Sequence, residues 1–230
     1  MIKKSLQILK RILSKPKGVN IDSIFPVSEY FGEDRGTPID RYYIEKFLEK
    51  KKDLIKGDIL EVADNKYSKR FGVEAGTSIH VLHYEKGAPH ATLIGDLSKP
   101  DSLPEAKFDC FICTQTFHVI YHFMDAIRGA YKVLKPGGCL LATVSGIAQI
   151  SRYDMDRWGD YWRFTDLSAK LSFEEVFASS HVEVDYYGNC FAAINFLRGI
   201  SLEEVSVNKL DVKDPNYPVI VTIVATKEIK

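Results

Sequence analysis

The stretch Phe108–Gly146, FDCFICTQTFHVIYHFMDAIRGAYKVLKPGGCLLATVSG, decides the fold. It opens with a mostly apolar run, Phe108 to Cys113, bounded by polar residues and too short for a helix. Such a run suits a strand buried on both faces. From Asp125 to Leu134 the period changes: Ile127, Ala130, Tyr131 and Leu134 recur three and four apart, which is one face of a helix. Lys135-Pro136-Gly137-Gly138 stops that helix, because proline cannot continue it and glycine is free to take positive φ. Cys139 to Val144 is a second apolar run. Strand, helix, tight turn and strand make a βαβ unit, whose crossover is right-handed.

Working outward, 230 residues with 45% hydrophobic content suit one α/β domain with appendages. A formal net charge of zero gives no global field toward nucleic acid, so no nucleic-acid partner is expected. No apolar run approaches the ~18 residues of a membrane span. The basic N-terminus has Ile and Leu interrupted by Lys and Arg throughout, unlike a signal peptide. Cysteines stand at 110, 113, 139 and 190. In a strand, residues three apart face opposite ways, so Cys110 and Cys113 cannot share one metal or one local disulfide. They are expected to be buried and structural, in keeping with a reducing cytoplasm.

Residues 1–17, MIKKSLQILKRILSKPK, set Ile2, Leu6, Leu9 and Leu13 on one stripe among basic residues. The pattern predicts a basic amphipathic helix that lies on a membrane surface, docks on a partner protein, or packs on its own domain. With the lid-like loop Gly18–Gly36 it forms an N-terminal unit, residues 1–36, ahead of an α/β domain over 37–230. Thr37-Pro38-Ile39-Asp40 predicts a helix start with Thr37 as N-cap, running on through Tyr43, Ile44, Phe47 and Leu48. The early residues Asp40 to Tyr43 are placed at the mouth of a site. Strands are expected over Gly57–Asp64, Ser78–Glu85, Ala91–Leu97, His181–Tyr187 and Tyr217–Thr226. Ser172-Phe173-Glu174-Glu175 fits a capping box opening a short helix.

Three motifs carry a resemblance. Leu134-Lys135-Pro136-Gly137-Gly138 before an apolar strand, Asp96-Leu97 about a dozen residues before the Phe108 strand, and Trp162-Arg163-Phe164-Thr165 after the next strand resemble class I S-adenosylmethionine (SAM)-dependent methyltransferases, over roughly Gly57 to Lys227. The resemblance implies a Rossmann-like doubly wound, mostly parallel seven-stranded sheet with helices on both faces and the last strand pair antiparallel. It implies SAM as cofactor. The family's first strand leads into an E-x-G-x-G-x-G turn; here Glu61 is kept, with Ala63, Asn65 and Tyr67 at the glycine positions. Cofactor-binding candidates are Glu61, Ala63, Asp64, Asn65, Glu85, Asp96, Leu97 and Gln115. The segment holding Asp96-Leu97 reaches the adenine in the family, and Asp96 otherwise caps its own loop.

Ligands of doubly wound sheets lie at the carboxyl ends of the strands. His118 follows the Phe108 strand there and is a candidate base, although His118 and His122, four apart, could also bond locally. The two lack a third ligand, so no metal site is expected. Gly146–Thr165, GIAQISRYDMDRWGDYWRFT, crowds aromatic, acidic and arginine side chains together, which suits a sugar or sugar phosphate. Catalytic candidates are His118 and Asp160; substrate-binding candidates are Tyr42, Arg152, Tyr153, Asp156 and Trp158. An arginine–carboxylate network pinning the loop is the alternative for this segment. The expected function is O-methylation of a sugar or glycan precursor by a cytoplasmic, membrane-peripheral enzyme. The whole arrangement resembles a bacterial group associated with surface-polysaccharide biosynthesis. The alternative is a binding or scaffold protein that has lost SAM affinity, motivated by the missing glycines. A nicotinamide-dependent oxidoreductase is disfavoured because no G-x-G-x-x-G follows a predicted strand.

Overall fold

A computed structural model describes residues 23–72 and 76–229; the helix expected over residues 1–17 lies outside them. Seven strands form one sheet in the order β3-β2-β1-β4-β5-β7-β6. They are β1 (Asp58–Val62), β2 (Ser78–His83), β3 (Leu93–Ile94), β4 (Phe108–Thr114), β5 (Leu134–Ser145), β6 (Val182–Tyr187) and β7 (Ile220–Thr226). Strands β1 to β5 are parallel, and β7 runs antiparallel to both β5 and β6. This is the Rossmann-like methyltransferase arrangement that the resemblance implied. The strand order reverses between β1 and β4, so the switch-point crevice opens at their carboxyl ends.

Both sheet faces are covered, which is why β4 and β5 lack polar alternation. On one face Leu60, Phe111, Cys113, Leu140 and Ala142 pack under α3 (Phe123–Val133) and α5 (Asp166–Phe177). On the other, Ile59, Cys110, Ile112 and Leu141 lie beneath α1 (Ile39–Lys50), α2 (Lys66–Phe71) and α6 (Cys190–Leu197). Cys110 and Cys113 thus sit in opposite halves of the core, as their spacing requires, both as buried free thiols.

Several local expectations are corrected. The segment Lys135–Gly138 is not a loop: β5 begins at Leu134, directly after α3. Lys135 Nζ ties that end of the strand to Asp58 and Asp109, at 2.8 Å each. Gly137 and Gly138 exchange backbone bonds with Lys227, which extends the pairing past β7. Thr37 does not cap α1; its N–H and hydroxyl both donate to Glu203, at 2.9 and 3.1 Å. The helix expected from Ser172 begins earlier, at Asp166, where Thr165 and Ser168 form the reciprocal cap. Ser172 lies inside it and donates to Ser168 O. The third strand shrinks to two residues.

The described part of the lid-like loop is stitched down. Val27 N–H donates to Arg198 O (2.8 Å), Arg35 pairs with Glu204, and Pro38 bridges to Ser201. Among the described residues no helix is long and apolar enough to cross a membrane.

α3 approaches the loop after β3 so closely that a Cβ on Gly129 would run into the Leu97 carbonyl oxygen and come within 3.1 Å of Leu103 Cδ1. A backbone atom cannot swing aside. Gly129→Ala is therefore expected to lower unfolding free energy by about 1–3 kcal/mol, the usual range for overpacking. Urea denaturation measures it, and unchanged stability would show that the loop yields freely.

Candidate active site

β1 ends at Val62 and the chain turns at once. Asp64 donates its N–H to Val62 O (2.8 Å) around Ala63, whose φ is +65°. A non-glycine residue in this left-handed region costs about 1–2 kcal/mol. Alanine therefore holds the glycine conformation at the family's first glycine position, with its methyl exposed at the carboxyl edge. Glu61 fixes the start of the next helix. Its buried carboxylate accepts Tyr67 N–H (3.1 Å), Ser68 N–H (2.8 Å) and the Ser68 hydroxyl (2.7 Å), satisfying the first turn of α2. Burial pushes the Glu61 carboxyl up, although the bonds from Ser68 and Tyr67 oppose the shift. Asp64 Oδ1 accepts Asn65 N–H (2.7 Å). Tyr67 lays its ring along α2 onto Phe71, with centroids 6.4 Å apart, and turns its hydroxyl to Arg41 of α1.

The neighbouring strand ends supply the other cofactor candidates. Beyond β2, Glu85 accepts the Tyr84 hydroxyl (2.8 Å) and donates its N–H to His83 Nδ1 (3.0 Å). Beyond β3, Asp96 Oδ1 accepts from Ser98 N–H (2.9 Å) and the Ser98 hydroxyl (2.7 Å), and Lys99 stands 3.2 Å from Oδ2. Burial would raise this carboxyl, but those bonds outweigh it and hold it below the usual range. Leu97 is buried beside it. Beyond β4, Gln115 takes φ +50° and clamps β4 to β5: Oε1 accepts the Ser145 hydroxyl (2.7 Å) and Nε2 donates to Thr143 Oγ1 (3.2 Å). All eight cofactor candidates thus lie along one edge of the sheet.

The loop after β5 forms the roof. Arg163 Nη1 and Nη2 grip both Asp160 oxygens (2.6 and 2.8 Å), and Nη2 and Nε also reach the carbonyls of Gln149 (2.7 Å) and Ala148 (3.3 Å). Asp160 also accepts Ser151 N–H (2.9 Å), and its side chain is 1% exposed. Burial would raise its carboxyl, yet Arg163 and Ser151 hold it below the usual range. Asp160 is therefore the anchor of the loop, as the network alternative required, with both oxygens engaged.

His118 lies under this anchor. Its carbonyl accepts the N–H groups of Tyr161 and Trp162, both at 3.0 Å. Its ring is buried, and Nδ1 has no hydrogen-bond partner among the described residues. Burial pushes the imidazole down to about 4, against the pull of Asp160 and with help from Arg163. The ring is neutral at physiological pH and has an unsatisfied polar atom.

Within the loop after β5, Trp158 sets its ring edge-on to Tyr84 (6.2 Å) and Tyr153 (5.8 Å), and the Arg157 guanidinium covers Tyr153 at 3.6 Å. Tyr84 follows β2, while Trp158 belongs to the loop after β5. In the sheet those strands are separated by β1 and β4, so this contact spans the switch point. Tyr121 adds a second aromatic group, 5.4 Å from Tyr161 and 5.9 Å from Trp162. Arg152 and Asp156 pair with each other on the surface at 2.8 Å. Tyr42 is not brought to this group; its hydroxyl donates to Asp211 Oδ1 (2.5 Å), beside α7 (Val207–Leu210). Sequence patterning did not single out Tyr84 and Tyr121. Their positions just past β2 and β4 were the available signal.

Comparisons with known proteins agree with the fold. Residues 56–142 match the family model of a methyltransferase domain, spanning β1 to β5. No curated protein matches. The fold is similar to a SAM-dependent methyltransferase from Archaeoglobus fulgidus (11% identity, 81% of this chain and 94% of that one, TM-score 0.53). It is also similar to the [4+2]-cyclase SpnF (15% identity, 99% and 95%, TM-score 0.52). A third likeness is to phosphoethanolamine N-methyltransferase 2 of Haemonchus contortus, solved with S-adenosyl-L-methionine (14% identity, 80% and 52%, TM-score 0.51). The cofactor of this domain type is S-adenosyl-L-methionine. The residues present fit it: Ala63 keeps the positive φ of the first glycine position with its methyl exposed, Asn65 (φ −125°) and the helical Tyr67 do not need a positive φ, and acidic side chains stand past β2 and β3.

The geometry makes the buried groups testable. The folded value of about 4 for His118 lies below the ordinary 6.5, so the unfolded chain binds the extra proton between them. Stability from this group is complete above pH ~6.5 and is lost as pH falls toward 4, by roughly 3 kcal/mol in all. Denaturation across that range should therefore slope less steeply in His118→Asn. Arg163→Ala strands the buried Asp160 carboxylate and should cost about 3–5 kcal/mol. Arg152→Ala removes an exposed pair and should stay within about 0.5 kcal/mol. Equal melting shifts for the two arginine variants would refute the anchor.

Proposed function

We propose that the protein transfers the methyl group of SAM to a hydroxyl oxygen of a sugar, within a glycan or its lipid- or nucleotide-linked precursor. The observation that carries this reading is the neutral His118 imidazole just past β4, unpaired among the described residues, in a site whose aromatic contact from Trp158 to Tyr84 spans the switch point. Aromatic faces beside charged groups suit a sugar ring, which stacks on apolar faces and bonds through hydroxyls.

When bound, SAM supplies a methyl on a sulfonium that is already activated for displacement. In this mechanism Glu61 holds the β1 turn, and the Ala63–Asn65 backbone and the acids past β2 and β3 orient the cofactor. Tyr153, Trp158 and Tyr84 hold the acceptor ring and limit water. His118 takes the proton from the acceptor hydroxyl, which a neutral imidazole can do and an imidazolium cannot. Alignment contributes much of the acceleration. Arg152 and Asp156, on the rim, meet the outer part of the acceptor. In this reading the acceptor belongs to surface-polysaccharide biosynthesis in the cytoplasm. Residues 1–17 make the peripheral contact with a membrane or a partner protein.

One observation favours a second reading. All three turn glycines are replaced, by Ala63, Asn65 and Tyr67, and a chain that no longer binds SAM would tolerate this. Calorimetry with S-adenosylhomocysteine separates the two: saturable binding supports the enzyme, and none at millimolar concentration supports a scaffold. For the enzyme, His118→Gln should keep that binding while methyl transfer to sugar acceptors falls about 100-fold, the ordinary contribution of a general base. Full turnover in this variant would remove His118 from proton transfer.

A further inference from the structure

On α1, two charged neighbours stand side by side with no ionic partner from another element among the described residues. The Asp40 carboxylate accepts the adjacent Arg41 N–H (2.8 Å), and Arg41 Nη1 makes a long bond to the Tyr67 hydroxyl (3.4 Å). Other cations and acids nearby are paired: Arg70 takes Glu45 (2.8 Å), Arg35 takes Glu204, and Lys46 takes Asp211, while Glu33 adds a negative charge with no ion pair among the described residues. Glu45 lies one helical turn from Arg41 and is its natural partner. Arg70 of α2 already holds it, which also fixes α1 against α2.

The pair stands in the first turn of α1, against the first turn of α2. Protein crowds Asp40 closely enough that burial raises its carboxyl above the usual range, with Arg41 opposing. Yet part of the Asp40 surface stays open to solvent, and Arg41 is exposed. Arg41 is held in its charged form because Asp40, Tyr67 and Glu33 outweigh its desolvation. The group has a definite address, since Tyr67 N–H is bonded to Glu61 and α2 begins directly after the Ala63–Asn65 turn.

We infer that Asp40, Arg41 and the Tyr67 hydroxyl form the subsite for the α-amino-acid end of the cofactor, with Arg41 taking the carboxylate and Asp40 the ammonium. The inference rests on the SAM-dependent reading above. A carboxylate and an ammonium on one carbon complement an arginine and an aspartate on adjacent residues. The Tyr67 oxygen accepts from Arg41, which leaves its own O–H to donate to the same carboxylate. Tyrosine at a glycine position then has a purpose. Binding of the amino-acid end has moved from a bare backbone turn to side chains of α1 and α2.

The experiment compares S-adenosylhomocysteine with 5′-methylthioadenosine, which lacks the amino-acid end, by calorimetry on the full chain. The wild type should bind S-adenosylhomocysteine more tightly. Arg41→Met and Asp40→Asn should each weaken S-adenosylhomocysteine about tenfold or more, the scale of a lost charge-assisted hydrogen bond. Affinity for 5′-methylthioadenosine should not change. Equal wild-type affinity for the two ligands overturns the subsite and leaves the cofactor reading standing, as does a variant that weakens both alike or neither. Absence of binding by both ligands to the wild type overturns the cofactor reading and the subsite with it. The wild-type comparison needs no variant to fold.

Discussion

The carboxylate of Glu61 ties the central strand to everything built at its end. β1 is buried on both faces, so the chain leaving it must turn within a few residues and satisfy a helix start close to the core. Glu61 does this with one side chain, taking two N–H groups and one hydroxyl from Tyr67 and Ser68. Because those donors belong to α2, the carboxylate also fixes the direction of that helix and where Tyr67 stands. The positive φ at Ala63 arises from the same constraint, since the chain has to reverse before α2 can begin. A glycine would make that turn more easily. The strain of alanine is tolerated because Glu61 and the packing of Phe71 over-determine the geometry.

The roof depends on a second buried carboxylate. Asp160 and Arg163 are three residues apart, but together they bind Ser151, Gln149 and Ala148, joining the beginning of the loop to its end. A loop closed on itself can carry large aromatic side chains over a crevice without a helix or strand beneath it. The same pair sets the environment of His118, whose carbonyl is held by Tyr161 and Trp162 and whose ring lies close enough to feel both charges. Burial dominates there, so the imidazole stays neutral. The two carboxylates differ in one respect that matters for their roles: Asp160 has a cation and Glu61 has only dipoles. Accordingly the carboxyl of Asp160 lies below the usual range and that of Glu61 above it.

Much of the fold was legible because it rests on local rules. The apolar runs at Phe108 and Cys139 and the three-and-four spacing of α3 need no tertiary knowledge, and they suffice for a βαβ unit. What misled were residues whose partners come from elsewhere in the chain. Pro136-Gly137-Gly138 has the composition of a turn, but Lys227 supplies backbone pairing that makes it strand. Thr37 has the composition of an N-cap, but Glu203 takes its hydroxyl. The strand ends could be located from the fold class, so the residues placed at them do stand together at the carboxyl ends of the strands. The reach of Trp158 to Tyr84 could not be read from spacing, because the two come from loops separated by β1 and β4.

A methyltransferase and a [4+2]-cyclase both share this sheet with the protein at 11% and 15% identity. The sheet therefore fixes where a ligand lies and leaves open which reaction occurs there. The discriminating chemistry has to come from elements the sheet does not dictate, here the loop after β5 and the first turn of α1. In the first case Nδ1 of His118 has no hydrogen-bond partner among the described residues, and in the second Asp40 and Arg41 have no ionic partner from another element among them. Unpaired polar groups near a core are unfavourable in a structure that only has to be stable. A protein that merely kept the fold would have lost little by replacing them with apolar or paired residues. In the reading proposed above, a ligand at the strand ends is what satisfies them.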